Sequence, residues 1–115
     1  MFMYILLKTS PNEDLRAVFY RHFIHRVNSG KIKNHSTVPD FINSIADEME
    51  ALDQVFYKSN YIEPDFIGPA MWVQGRDHMA GIVLAISAMA EYYDVDLIDE
   101  IILKVNRNEK KHSKL

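Results

Sequence analysis

The 115-residue chain has no cysteine, so it contains neither a disulfide frame nor a thiolate metal site. That absence fits a reducing compartment, and cytoplasm is the expected location. There is no excess of positive charge. A net charge of −3 creates no field that would gather a nucleic-acid polymer or an acidic membrane surface. Long hydrophobic runs are missing too. The opening run from Met1 to Leu7 is too short to span a bilayer, and it lacks the basic start and small-residue cleavage site of a signal peptide. With only four glycines and four prolines, the chain shows no linker, repeat or low-complexity segment. No His-Glu-x-x-His spacing occurs, and no glycine pattern followed by Lys-Ser or Lys-Thr marks a phosphate loop.

What is present is an ordinary globular balance, 48% hydrophobic and 25% charged, in a length that buries one core. A single domain over residues 1–115 is expected, with an N-terminal arm at 1–9 and a basic tail at 112–115. The arm reads as extended, as an edge strand or as a short piece of helix. Charge is uneven along the chain. Asp40, Asp47, Glu48, Glu50, Asp53, Glu63 and Asp65 face Lys58 alone, whereas Lys104, Arg107, Lys110, Lys111 and Lys114 are opposed only by Glu109.

Ser10, Pro11 and Glu13 form a helix start. Leu15, Val18, Phe19, His22 and Phe23 recur at helical spacing until Asn28, Ser29 and Gly30 stop them. Pro39 and Asp40 open a second helix with the stripe Ile42, Ile45, Met49, Leu52 and Phe56. A connection from Asn60 to Pro69 follows, anchored by Tyr61, Phe66 and Ile67. The third helix runs from about Gly75, or somewhat earlier, to Tyr93. It is apolar nearly all round from Met79 through Ile82, Val83, Leu84, Ile86 and Met89, which predicts a central position. Ala80, Gly81, Ala85 and Ala88 on it allow another helix to come close. Asp94 or Asp96 caps a fourth helix carrying Leu97, Ile98, Ile101, Ile102 and Val105, and the short link predicts that helices three and four are neighbours. The economical architecture is an all-α bundle.

Acids beside a helix stripe are ordinarily a solvated margin, and Asp47, Glu50 and Asp53 read that way. At about 100° per residue, Glu48 and Asp53 flank the stripe, while Asp47 and Glu50 turn to solvent; Glu48 is the acid best placed for a cleft. His22 reads as a buried, hydrogen-bonded histidine, with His25 and His35 at the surface. Asp77 and His78 have the structural reading of a helix start, the aspartate at the positive end of the dipole. Trp72 is expected as a core or interface anchor, and Gly68-Pro69 and Gly75 as turns.

Several of these segments together resemble the MazG-like all-α NTP pyrophosphohydrolases, over roughly Pro39 to Lys111. In that family a Gly-Ile-Asp-Leu turn leads to Lys, Asn and Arg on the last helix; here Asp94-Val95-Asp96-Leu97 leads to Lys104, Asn108 and Lys111. The first acidic motif, Glu-Glu-x-x-Glu-Leu, falls on Asp47-Glu48-Met49-Glu50-Ala51-Leu52. The second, Glu-x-x-Asp, falls by counting on His78 and Gly81. Ala51, His78 and Gly81 therefore stand where the family has three of four metal-binding carboxylates, and Lys111 replaces an arginine.

The resemblance implies a four-to-five-helix MazG-like bundle that binds a nucleoside triphosphate or related nucleotide. Glu48, Asp77 and His78 would be its catalytic and metal-binding residues, and Lys104, Asn108 and Lys111 its phosphate ligands. A catalytic version would use Mg2+ or Mn2+, the imidazole favouring the softer metal. A homo-oligomer, dimer or tetramer, is expected in either case. The alternative from another class is a non-catalytic helical interaction protein that keeps the scaffold without the metal.

Overall fold

A computed structural model describes residues 14–62 and 68–113, with side chains at 14–57 and 68–111. All four elements among them are helices: α1 (Leu15–Asn28), α2 (Val38–Ile62), α3 (Pro69–Tyr92) and α4 (Leu97–Ser113). No strand occurs among the described residues, so the all-α class stands. None of these helices is long and apolar enough to cross a membrane. The expected N-terminal arm, the Ser10-Pro11-Glu13 start, and the anchors Phe66 and Ile67 lie outside the described residues.

Capping explains where the helices begin. The Asp14 carboxylate accepts the Ala17 backbone N–H at 2.9 Å and so caps α1. At α2 the Asp40 carboxylate reaches back to accept the Thr37 N–H at 2.8 Å, half of a capping box. Asp96 caps α4 by accepting the Asp99 N–H at 3.1 Å. Asp94 instead takes φ 58° in the turn after α3, a left-handed conformation that a short polar side chain tolerates. Gly30, with φ 77°, makes the corresponding turn after α1.

Two boundaries depart from expectation. α2 continues through Asn60 and Tyr61 to Ile62, and α3 starts at Pro69, with Gly68 as its cap, well before Gly75. Gly75 is thus not a turn but a buried point inside α3. The Phe56 ring of α2 lies against it so closely that a Cβ there would fall 2.6 Å from the ring tip. Asp77 and His78 sit in the third turn of α3, away from its positive end, which removes the dipole reading.

α3 is the hub, with α2 and α1 both packed against it. Ile32, from the α1–α2 loop, Phe41 of α2 and Ala88 of α3 form the buried cluster, bordered by Phe23, Met89 and Tyr92. The expected stripe of α2 turns inward only in part: Ile45, Leu52 and Phe56 are half-buried, but Ile42 and Met49 are 49% and 56% exposed, and the buried face widens to the side of Phe41, Ser44 and Glu48. Phe41 wins that position because the Tyr92 and Tyr93 rings meet it at centroid distances of 5.0 and 5.8 Å. α3 itself is central on two faces only; Met79, Val83 and Ile86 stay exposed on the third.

α4 does not fold back as a neighbour of α3. Leu97 and Ile98 are half-buried, but Ile101, Ile102, Leu103 and Val105 are about half exposed. Its first turn is tied to α1 by Arg16, whose guanidinium reaches Asp96 at 3.2 Å and Asp99 at 2.8 Å. These pairs are exposed and orient the helix more than they stabilise it.

Candidate functional site

The burial of Phe41 has a chemical consequence, because the side of α2 that carries it also carries Ser44 and Glu48. Each lies three or four residues from the last, and Glu48 is half-buried against α3. Its carboxylate Oε2 stands 3.3 Å from Nδ1 of His78. One turn along α3, the same carboxylate lies over Gly81, where a Cβ would fall 2.6 Å from Oε2. Glycine at 81 is what lets a charged group approach the α3 backbone.

With Glu48 ionised, the contact places a hydrogen on His78 Nδ1, and a neutral ring then leaves Nε2 as an acceptor. At 3.3 Å the bond is long and the pair is partly exposed, so its worth lies in orienting the ring rather than in stability. The pair can hold a proton, or move one at Nε2.

Glu48, Gly81 and Ser44 line a cleft of about 260 Å³ between α1, the α1–α2 loop, α2 and α3. Ile32, Phe41, Leu84 and Ala88 supply its apolar wall, and His22, Arg26, Lys31, Ser36 and Asp40 its polar rim. Of the residues nominated from sequence, Glu48 and His78 come together. Asp77 is exposed at the neighbouring position of α3, turned about 100° from His78. Lys104, Asn108 and Lys111 are exposed on α4, and none of them lines this cleft. Asp47, Glu50 and Asp53 are exposed, as a solvated margin should be.

Sequence reasoning passed over Arg26 and Lys31. The available signal was that Arg26 continues the inward face of α1 through Phe19, His22 and Phe23, an arginine where a core residue would stand. His22, expected as a buried hydrogen-bonded group, is instead half-buried at the cleft wall. Trp72 packs edge-on against Phe56 at 5.8 Å and remains 42% exposed.

Among the described residues, Glu48 and His78 do not by themselves fit a resident magnesium ion. Magnesium requires near-octahedral oxygen ligation, whereas one carboxylate and one imidazole here bond to each other, and no group of three or more His, Cys, Asp or Glu converges among the described residues.

The cleft also governs behaviour in acid. Burial, then the charges of Arg26 and His25, hold the His22 pKa below its ordinary 6.5. The unfolded chain therefore binds this proton more readily, and the stability is fully present above that value and falls as pH drops through it. The Asp40 and Asp96 carboxyls lie below their ordinary 3.8, chiefly because they accept the Thr37 and Asp99 backbone N–H groups. Their contribution is present above that value and disappears as pH falls through the depressed pKa values. Urea melts taken at decreasing pH should show two stages of loss, and His22→Leu should abolish the upper one. An unchanged upper stage in that variant would assign it to another group.

No family model matches the chain, and a search of curated proteins likewise finds no match.

Proposed function

We propose that the chain is a divergent MazG-like helical protein that binds a nucleoside triphosphate or related nucleotide in the α1–α2–α3 cleft, with Glu48 on its lining and His78 bonded to Glu48. One observation carries the reading. The resemblance assigned Glu48 to the first acidic motif and positions 78 and 81 to the second by counting along the chain. Helix packing independently sets the Glu48 carboxylate against those same two residues. Because the side chains do not make a magnesium cage, no hydrolytic step through a metal follows from them. Glu48 presents its carboxylate to the cleft, His78 bonds that carboxylate and helps to orient it, and the apolar wall shields one side of a bound molecule from water.

A nucleotide panel, assayed by calorimetry and by phosphate release with Mg2+ or Mn2+, tests this. Saturable binding by at least one nucleoside triphosphate is expected, weakened by about tenfold or more, some 1.4 kcal/mol, in Glu48→Gln. Binding that is indifferent to this substitution would remove the site.

A second reading, a homo-oligomeric scaffold without catalysis, is favoured by α4. Most helical stability in proteins comes from packing of an apolar face, yet Ile101, Ile102 and Val105 of α4 stay about half exposed among the described residues. A second copy of the chain, in a dimer or tetramer, would supply that cover and could bring Lys104, Asn108 and Lys111 to the cleft. Sedimentation of the same samples separates the readings: an oligomer that binds no nucleotide favours the scaffold, whereas a nucleotide-binding protein of either mass upholds the first.

A further inference from the structure

The cleft has two chemically different ends. Glu48 and Gly81 mark one; Phe41 and Ala88 mark the other, seven residues away on each helix, about 10 Å at 1.5 Å per residue. Arg26 and Lys31 belong to the second end. Ile32, buried there beside Phe41, donates its backbone N–H to the Arg26 carbonyl at 3.3 Å, as Lys31 does at 2.9 Å.

The charges along the cleft are not equally occupied. The Asp40 carboxylate accepts the Thr37 N–H, and the Glu48 carboxylate faces His78. Arg26 and Lys31 have no side-chain hydrogen bond or ion pair among the described residues. Arg26 is nevertheless half-buried on the inward face of α1 and lines the cleft, where its stem can lie on apolar surface while the charged head stays open to a ligand. Its positive field already reaches the neighbouring ring, helping to hold His22 neutral.

A basic residue in the last turn of a helix is also a common stabiliser, which accounts for the presence of charge at Arg26 but not for its place on the inward face. Lys31 lies beyond the helix, so the dipole gives no account of it. The cleft is slightly smaller than the roughly 300–1,000 Å³ of drug-sized ligand sites, room for the anionic end of a ligand and part of its body.

Resting on the nucleotide reading above, we infer that Arg26 and Lys31 hold the phosphate end of the ligand, and that the cleft is polar in a fixed sense. The phosphate lies at the Ile32 and Phe41 end, where two cations outweigh the single Asp40 carboxylate, the body runs along the apolar wall, and the Glu48 carboxylate at the far end accepts hydrogen bonds from the body and so sets the orientation. Arginine suits the role because its planar fork matches phosphate oxygens in pairs. The anchor is then built within one chain, without the basic residues of α4.

Titration calorimetry with inorganic pyrophosphate and with ATP tests the inference on wild type, Arg26→Ala/Lys31→Ala, Arg26→Lys and Lys104→Ala/Lys111→Ala. The Arg26/Lys31 double variant should weaken both ligands by about tenfold or more, and Arg26→Lys should recover part of that loss. Amide chemical-shift mapping of the wild type with pyrophosphate removes any dependence on variant folding. Shifts should centre on residues 26–36. Shifts confined to 104–111, loss of affinity in the α4 variant alone, or the absence of saturable pyrophosphate binding would overturn it. Pyrophosphate binding that needs Arg26 and Lys31 but shows no nucleotide preference and no dependence on Glu48 upholds the anchor and rejects the nucleotide reading. Nucleotide binding that needs Glu48 and ignores Arg26 and Lys31 does the reverse.

Discussion

Phe41→Ala should lower the unfolding free energy by about 3–5 kcal/mol, a large part of the 5–15 kcal/mol that typically holds a domain. Phe41 is 5% exposed and is the largest member of the Ile32–Phe41–Ala88 cluster. Its ring also supports Tyr92 and Tyr93, and the Tyr92 hydroxyl donates to the Asn34 carbonyl at 3.0 Å. Losing the ring therefore loosens the contact that pins the α1–α2 loop to the end of α3. The space it leaves opens onto the cleft, and the helix backbones on either side cannot close it. Among the described residues the other buried apolar side chains are only Phe19, Ile32 and Ala88, so little else compensates. Urea denaturation measures the change through its midpoint and slope. A loss below about 1 kcal/mol, within the range of an ordinary point mutant, would show that Phe41 is not the centre of the core.

Gly75→Ala should destabilise the protein although alanine is the better helix former. The gain in helix propensity is about 0.8–1.0 kcal/mol. Against it, the new Cβ would stand 2.6 Å from Phe56 Cζ and 3.0 Å from Cε2, and forced overpacking costs about 1–3 kcal/mol. The ring is stiff and is held edge-on by Trp72, so it relieves the clash only by giving up that contact or by pushing α2 away from α3. Repeating the substitution in a Phe56→Leu background should reverse its sign, because the shorter side chain clears the new methyl and the propensity gain remains. A double-mutant cycle reads the coupling directly, about 2 kcal/mol if both estimates hold. Equal effects in the two backgrounds would mean that Gly75 and Phe56 do not meet. Gly81 differs in kind, since the group over it is the end of a flexible, partly exposed Glu48 side chain that can swing aside.

The helices were legible in the sequence because helix formation is decided over a few residues. The stop at Asn28, Ser29 and Gly30 and the cap at Asp96 act within one turn of themselves. So does the start of α2, although its first helical residue is Val38 rather than Pro39. The early start of α3 at Pro69 escaped because Gly75 reads locally as a breaker. Its purpose, room for Phe56, depends on a residue nineteen positions away. Of the site, Glu48 and His78 were legible through counting and register. Asp77 was not separable from His78 by sequence, since only the packed helix shows which of two adjacent residues turns inward.

By itself, then, the sequence determined the helical class, the order of four segments and the residues able to carry charge in a cleft. Tertiary structure alone decided how far the buried face of α2 extends, that Arg26 and Lys31 share a cavity with Glu48, and that the apolar residues of α4 stay about half exposed among the described residues. The physical reason is the range of the forces involved. Caps and turn residues act on neighbours along the chain, whereas the rotation of an amphipathic helix depends on what the opposing helix admits. Tyr92 and Ala88 of α3 and Tyr93 at its cap accept Phe41, and a glycine accepts the Glu48 carboxylate, so the buried face takes in one side of the displayed stripe and leaves Ile42 and Met49 out.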